Sequence, residues 1–215
     1  MKAIEELLRL PSPAPKPQSL AFDGATLWMG SRETHRIYAI DSLRWTARDE
    51  TQVPEVPWGM TVAGDELFVI YGPDDDDRFV RSYIPGRGFA HTTFRAPDGT
   101  GSHLGWDGDV LYVSQWYNQR ILGVDAAGMV LSTIAVPHGI CGMVVADGKF
   151  YCVTTDDQER GPYWLTRVDA RGATPVCDDI AIIPFPARAL AFDGSRFWTN
   201  HREANEIVAF ARPDA

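Results

Sequence analysis

Cysteine, positive charge and long apolar runs are all scarce in this 215-residue chain, and each scarcity removes a class of protein. The three cysteines, Cys141, Cys152 and Cys177, are odd in number and unpatterned in spacing. Neither a disulfide framework nor a zinc site is expected from them, and they read as reduced thiols. Lys and Arg number 20 against 29 Asp and Glu, and the formal charge of −9 repels nucleic acid and anionic lipid instead of recruiting them by counterion release. No apolar run approaches the ~20 residues of a membrane-crossing helix, and Glu5 and Glu6 stand where a signal peptide would carry its apolar core. A cytoplasmic protein is expected. Gly-rich phosphate loops, HExxH, GxSxG and CxxC are also missing, which removes the enzyme classes that short motifs identify.

What the chain has is a phrase written five times. LAFDGATLW starts at Leu20, MTVAGDELF at Met60, LGWDGDVLY at Leu104, MVVADGKFY at Met143 and LAFDGSRFW at Leu190. Each alternates apolar with small or polar residues, turns at Asp-Gly or its equivalent and resumes in an aromatic-rich run, which is two strands joined by a tight hairpin. A third apolar run follows at Arg36, Arg78, Arg120, Tyr163 and Glu206. A fourth ends in an apolar residue and a proline, at Val53-Pro54, Ala96-Pro97, Val136-Pro137 and Ile183-Pro184, where a missing N–H suits the end of an edge strand. Four strands per unit of about 40–45 residues is a β-propeller blade. The expected fold is all-β: a five-bladed propeller with four antiparallel strands per blade, forming one domain over residues 1–215.

The fifth unit lacks its fourth strand. Residues 1–10 end in Leu10-Pro11, the same signature, and are predicted to supply that strand and close the ring. Ile4, Leu7 and Leu8 also fit a helical period, but the repeat favours a strand. Trp28, Phe68, Tyr112, Tyr151 and Trp198 share one second-strand position and read as core between blades.

A ligand site is expected where the loops entering the inner strands meet those joining strands two and three. The first set places Gln18, Trp58, Ser102, Cys141 and Arg188 there. The second places Ser31, Tyr71, Gln115, Thr154 and His201, followed by Arg32, Gly72, Trp116, Thr155 and Arg202. The five units differ most at these positions, which points to one asymmetric pocket instead of five equivalent sites. Trp58, Tyr71 and Trp116 would form its walls, Arg188 would hold negative charge, and Gln18, Ser102 and Gln115 would orient the ligand. His103 and His201 are the candidate proton-transfer groups. Cys141 follows His138 in HGIC and reads as a lining thiol, and the run Asp74–Asp77 reads as a solvated loop tip. No metal and no cofactor are expected.

Two segments, PWGMTVAGDELFV at Pro57 and SHLGWDGDVLYVSQWYNQRILGVDAAG at Ser102, resemble consecutive blades of the plant and bacterial type of glutaminyl cyclotransferase, five-bladed propellers with a metal-free central pocket. The resemblance spans residues 57–135. Phrases of the form GWGL, and NELE followed by ANVW, match Trp58 and Trp116 to that family's two pocket tryptophans. Ser102 stands where that family has the asparagine of NELE, Gln18 where its acidic residue falls, and Asp156 where a lysine follows Thr-Gly. The resemblance thus implies architecture and pocket position, not cyclisation of N-terminal glutamine. The blade grammar is also similar to NHL, gluconolactonase-type and streptogramin-lyase propellers. The resulting expectation is a monomeric, metal-independent enzyme acting on one small anionic or aromatic molecule by acid–base cyclisation, elimination or hydrolysis. The alternative is a non-catalytic ligand-binding or protein-interaction propeller.

Overall fold

A computed structural model of the chain describes residues 1–213; Asp214 and Ala215, the end of the expected 1–215 unit, lie outside the described residues. The first strand, β1 (Glu6–Pro11), belongs to the last blade. Blade one runs β2 (Pro17–Phe22), β3 (Thr26–Ser31), β4 (Arg36–Asp41) and β5 (Thr46–Gln52). Blade two runs β6 (Val56–Ala63), β7 (Glu66–Gly72), β8 (Phe79–Ile84) and β9 (Gly88–Arg95). Blade three runs β10 (His103–Trp106), β11 (Leu111–Gln115), β12 (Arg120–Val124) and β13 (Val130–Ala135). Blade four is β14 (Gly139–Ala146), β15 (Lys149–Thr155), β16 (Tyr163–Asp169) and β17 (Val176–Ile183). Blade five is β18 (Ala191–Phe192), β19 (Arg196–His201) and β20 (Glu206–Ala211), with β1 as its outer strand. The strands named here pair antiparallel throughout, as hairpins require within a blade, while the isolated bridge of Ala3 to Ile182 is parallel. The predicted five-bladed propeller is the observed fold, and among the described residues no helix is long and apolar enough to cross a membrane.

The hairpins explain the repeated phrase. In blades one, three and five the aspartate of Asp-Gly caps its own turn through one carboxylate oxygen and takes the second-strand aromatic with the other. Asp23 accepts from the Thr26 N–H at 2.7 Å and from Trp28 Nε1 at 2.8 Å. Asp107 does the same with Val110 and the Tyr112 hydroxyl, and Asp193 with Arg196 and Trp198, each at 2.8–2.9 Å. Trp28, Tyr151 and Trp198 are buried, whereas Phe68 and Tyr112 are half-buried at their seams. The apolar residues before the terminal prolines, Val53, Ala96, Val136 and Ile183, are buried as well.

The ring closes non-covalently. Leu10 pairs with Ile207 and Pro11 with Glu206 in β20, and the Pro11 carbonyl accepts from Trp45 Nε1 of blade one at 2.8 Å. Trp45 in turn stacks on Trp198 at 5.8 Å, inside the apolar cluster that joins blades five and one. The strand begins later than the expected residues 1–10. Residues 2–4 cross instead to the outer edge of blade four, where the Ile4 N–H donates to the Ile182 carbonyl and the Ile182 N–H to that of Lys2, both at 2.9 Å. That edge offered unpaired backbone groups, and the crossing buries Ile4 against the core holding Ile183 and Phe185, while Leu7 and Leu8 stay exposed.

Neighbouring inner strands touch around the axis, β2 beside β6, β6 beside β10, β10 beside β14, β14 beside β18 and β18 beside β2. Glycine permits two of these approaches. A Cβ on Gly59 would lie 2.4 Å from the Cα of His103, and one on Gly142 would lie 2.5 Å from the backbone of Ala189. Backbone cannot retreat from such a contact as a flexible side chain can. Gly59→Ala and Gly142→Ala should therefore each lower unfolding free energy in urea by about 1–3 kcal/mol. Gly172→Ala, whose Cβ would meet nothing nearer than 3.6 Å, should stay within about 0.5 kcal/mol of the native protein.

Candidate functional site

The sequence places its variable positions at one end of the axis, and eight of them meet there. Gln18, Trp58, Ser102, Trp116, Cys141 and Arg188 line a central cavity of about 200 Å³. Arg32 and Arg202 line it too, together with Arg78 and Asp74. Four guanidinium groups and one carboxylate thus share one small space in a chain whose formal charge is −9.

The four arginines are not equally neutralised. Arg32 Nη2 donates to Asp74 Oδ1 at 2.8 Å, and Arg202 Nε to Glu203 Oε1 at 3.1 Å, with its Nη1 on Gln18 Oε1 at 2.9 Å. Arg78 and Arg188 are only 8% and 7% exposed, and among the described residues neither makes a salt bridge with a carboxylate. Arg78 donates through Nη1 to the Gly101 carbonyl and lies over the Trp58 ring at 4.1 Å, a ring that Arg32 also approaches at 5.3 Å. Arg188 donates to the Gln158 carbonyl at 2.9 Å and to Cys141 Sγ at 3.6 Å. Burial lowers the pKa of Arg78 and of Arg202, and Arg188 lowers Arg202 further. Arginine keeps its proton under such pressure, so the charge stays in the cavity. Burial pushes the Cys141 thiol up despite Arg188, which leaves it protonated.

Tyr71, Gln115, His103 and His201 were expected at the same site and do not line it. Strand alternation is the reason, since successive residues point to opposite faces. Ser102 faces the cavity, so His103, next in the chain, turns into the packing between inner strands, fully buried with Nδ1 on the Leu104 carbonyl at 3.0 Å. At the ends of the second strands, Arg32, Trp116 and Arg202 face inward, and Ser31, Gln115 and His201 do not. Gln115 is a structural hub: its Nε2 donates to the Pro97 carbonyl at 2.9 Å, and its Oε1 accepts from Asn118 and Arg120 at 2.9 and 2.7 Å. His201 stacks on Phe185 at 5.2 Å, and Tyr71 packs against Phe79 at 6.3 Å. Trp58, expected as a free wall, instead carries two guanidiniums.

Arg78, Asp74 and Gln158 were missed by reasoning from equivalent positions, yet a signal for them existed in loop length. The connections between strands two and three hold four residues in blades one, three and five, but six at 73–78 and seven at 156–162. Those two longer loops carry all three residues, as insertions in repeat proteins tend to gather on one face. The expected solvated aspartates are partly engaged, Asp74 with Arg32 and Asp77 with Arg95 at 2.7 Å.

Fold and site together define a five-bladed propeller with a single cationic cavity at one end of its axis. No family model and no curated protein sequence matches the chain. Solved structures do. The glutaminyl cyclase of Myxococcus xanthus aligns with a TM-score of 0.52 at 14% identity, covering 70% of this chain and 93% of that one. The PQQ-bound aldose sugar dehydrogenase of Streptomyces coelicolor aligns at 0.53 and 12%, covering 97% and 98%. Hydrazine synthase of Kuenenia stuttgartiensis aligns at 0.54 and 16%, covering 86% of this chain and 62% of that one. At such identities the likeness is one of fold, and it agrees with the cyclotransferase-type propeller that the blades resemble.

Burial pushes the His103 imidazole down to about 4, from an ordinary 6.5. The unfolded chain takes up this proton first, so the neutral histidine contributes stability that is fully present above pH 6.5 and lost as pH falls through 4. The full contribution is about 3 kcal/mol. Unfolding of the native protein and His103→Leu at pH 7.5 and pH 4 should differ by about that amount in their loss of stability, and parallel losses would refute the assignment.

Proposed function

We propose that the central cavity binds one small anionic molecule, and that this is the protein's activity at this face. The observation that carries the reading is the pair Arg78 and Arg188, two buried cations that form no salt bridge among the described residues, although Asp76 and Asp74 act on Arg78 from farther away. Burying an unpaired charge costs several kcal/mol, and an anion with oxygen acceptors would relieve both at once. Trp116 and Tyr117, edge to face at 4.9 Å, add apolar surface beside them.

Binding is favoured over acid–base turnover by the make-up of the lining. Its carboxylate, Asp74, is held by Arg32, its thiol is protonated, and neither His103 nor His201 reaches it. The neighbouring glutaminyl cyclase and sugar dehydrogenase carry enzyme names on the same fold, which keeps chemistry on a small molecule open as a second reading, without transferring a residue.

Thermal unfolding tests the binding reading. Sulfate and benzoate, compared with chloride at constant ionic strength, should raise Tm saturably, by about 5–10 °C at a hundredfold excess over Kd. Arg188→Met should abolish the rise. A shift indifferent to Arg188→Met, or none with any anion, would overturn the reading.

A further inference from the structure

The geometry points to a more specific ligand: a short, acceptor-rich molecule with an anionic group at each end, a dicarboxylate in class. This rests on the anion-binding reading above and deepens it. The two arginines without a salt bridge come from blades that are not neighbours, since Arg78 precedes β8 of blade two and Arg188 precedes β18 of blade five. Blade one stands between them; its Arg32 acts on Arg202 after Arg188, and on Arg78 less than Asp76 and Asp74 do. The positive charge is therefore spread across the cavity, with Arg188 and Arg202 on one side and Arg78 on the other. One compact anion brings a single charge for both sides to share; two linked anionic groups bring one to each.

The hydrogen-bond inventory agrees. Arg78 Nε, Arg188 Nε and Trp116 Nε1 are buried donors without an acceptor. Buried N–H groups are normally satisfied; these three atoms face protein, Trp116 Nε1 standing over Gly139, but they belong to side chains that line the cavity and would gain acceptors from a ligand as those side chains turn toward it. Three acceptors of the lining are already engaged: Asp74 Oδ1 by Arg32, Gln18 Oε1 by Arg202 and Ser102 Oγ by the Trp116 N–H at 3.1 Å.

Calorimetric titration of the whole chain at fixed ionic strength tests this with oxalate, succinate, glutarate and adipate against butyrate and inorganic phosphate. One of the longer dicarboxylates should bind at least about tenfold more tightly than butyrate, as two charge-assisted contacts imply over one. In Arg78→Gln and in Arg188→Gln that advantage should shrink to within about threefold. The series in the native protein decides the matter by itself should either variant fail to fold. Butyrate binding as well as every dicarboxylate, or phosphate binding better than all of them, would overturn the two-ended ligand while leaving an anion site. Absence of binding by every probe would overturn both readings.

Discussion

The pairing of β1 with β20 holds the cationic face together. Blades are joined to their neighbours by apolar seams, and the seam between blades five and one is the one that the chain cannot close by simply running on. The hydrogen bonds of Leu10 and Pro11 along β20, with Trp45 laid on Trp198, bring the last blade against the first. Arg188 and Arg202 belong to the last blade and Arg32 to the first, so the cavity exists only in the closed ring. The second contact of the N-terminal segment, from residues 2–4 to Ile182, fastens that closure to blade four as well.

Once the ring is closed, electrostatics gives the face its character. A chain with nine more acidic than basic residues places four of its arginines around one axis, and two of them lack any carboxylate within salt-bridge distance among the described residues. Their partial satisfaction by the Gly101 and Gln158 carbonyls fixes where the guanidiniums stand without cancelling their charge. Low-dielectric walls strengthen the field inside such a cleft, while the acidic exterior turns other anionic surfaces away. On the anion-binding reading, that contrast would favour a small anion over a polyanion.

The fold was readable because a propeller repeats. The Asp-Gly turn, the aromatic after it and the apolar-proline end recur at nearly fixed spacing, and each corresponds to an observed capping bond, seam contact or edge. The site was readable only in part, for the opposite reason. Loops that do not repeat hold no internal check on register, and a shift of one residue in a strand reverses the side chain. His201 beside Arg202, and His103 beside Ser102, each stand one residue out of phase with the cavity, the first half-buried on Phe185 and the second buried between inner strands. Arg78 was hidden by looking like Arg36 and Arg120, which head the same strand in their own blades yet pair with Glu50 and Asp98. Only the fold shows that Arg78 has no such partner.

The central claim, that Arg78 and Arg188 are waiting for an acceptor, can be tested at the atoms concerned. Nitrogen-15 spectra of arginine Nε–H and tryptophan Nε1–H groups, with assignments from Arg78→Lys, Arg188→Lys and Trp116→Phe, report directly on their hydrogen bonding. The account predicts that succinate or glutarate moves the Arg78, Arg188 and Trp116 signals together, saturably and downfield, and slows their exchange with water. Saturation that leaves these three signals in place while moving others would contradict it.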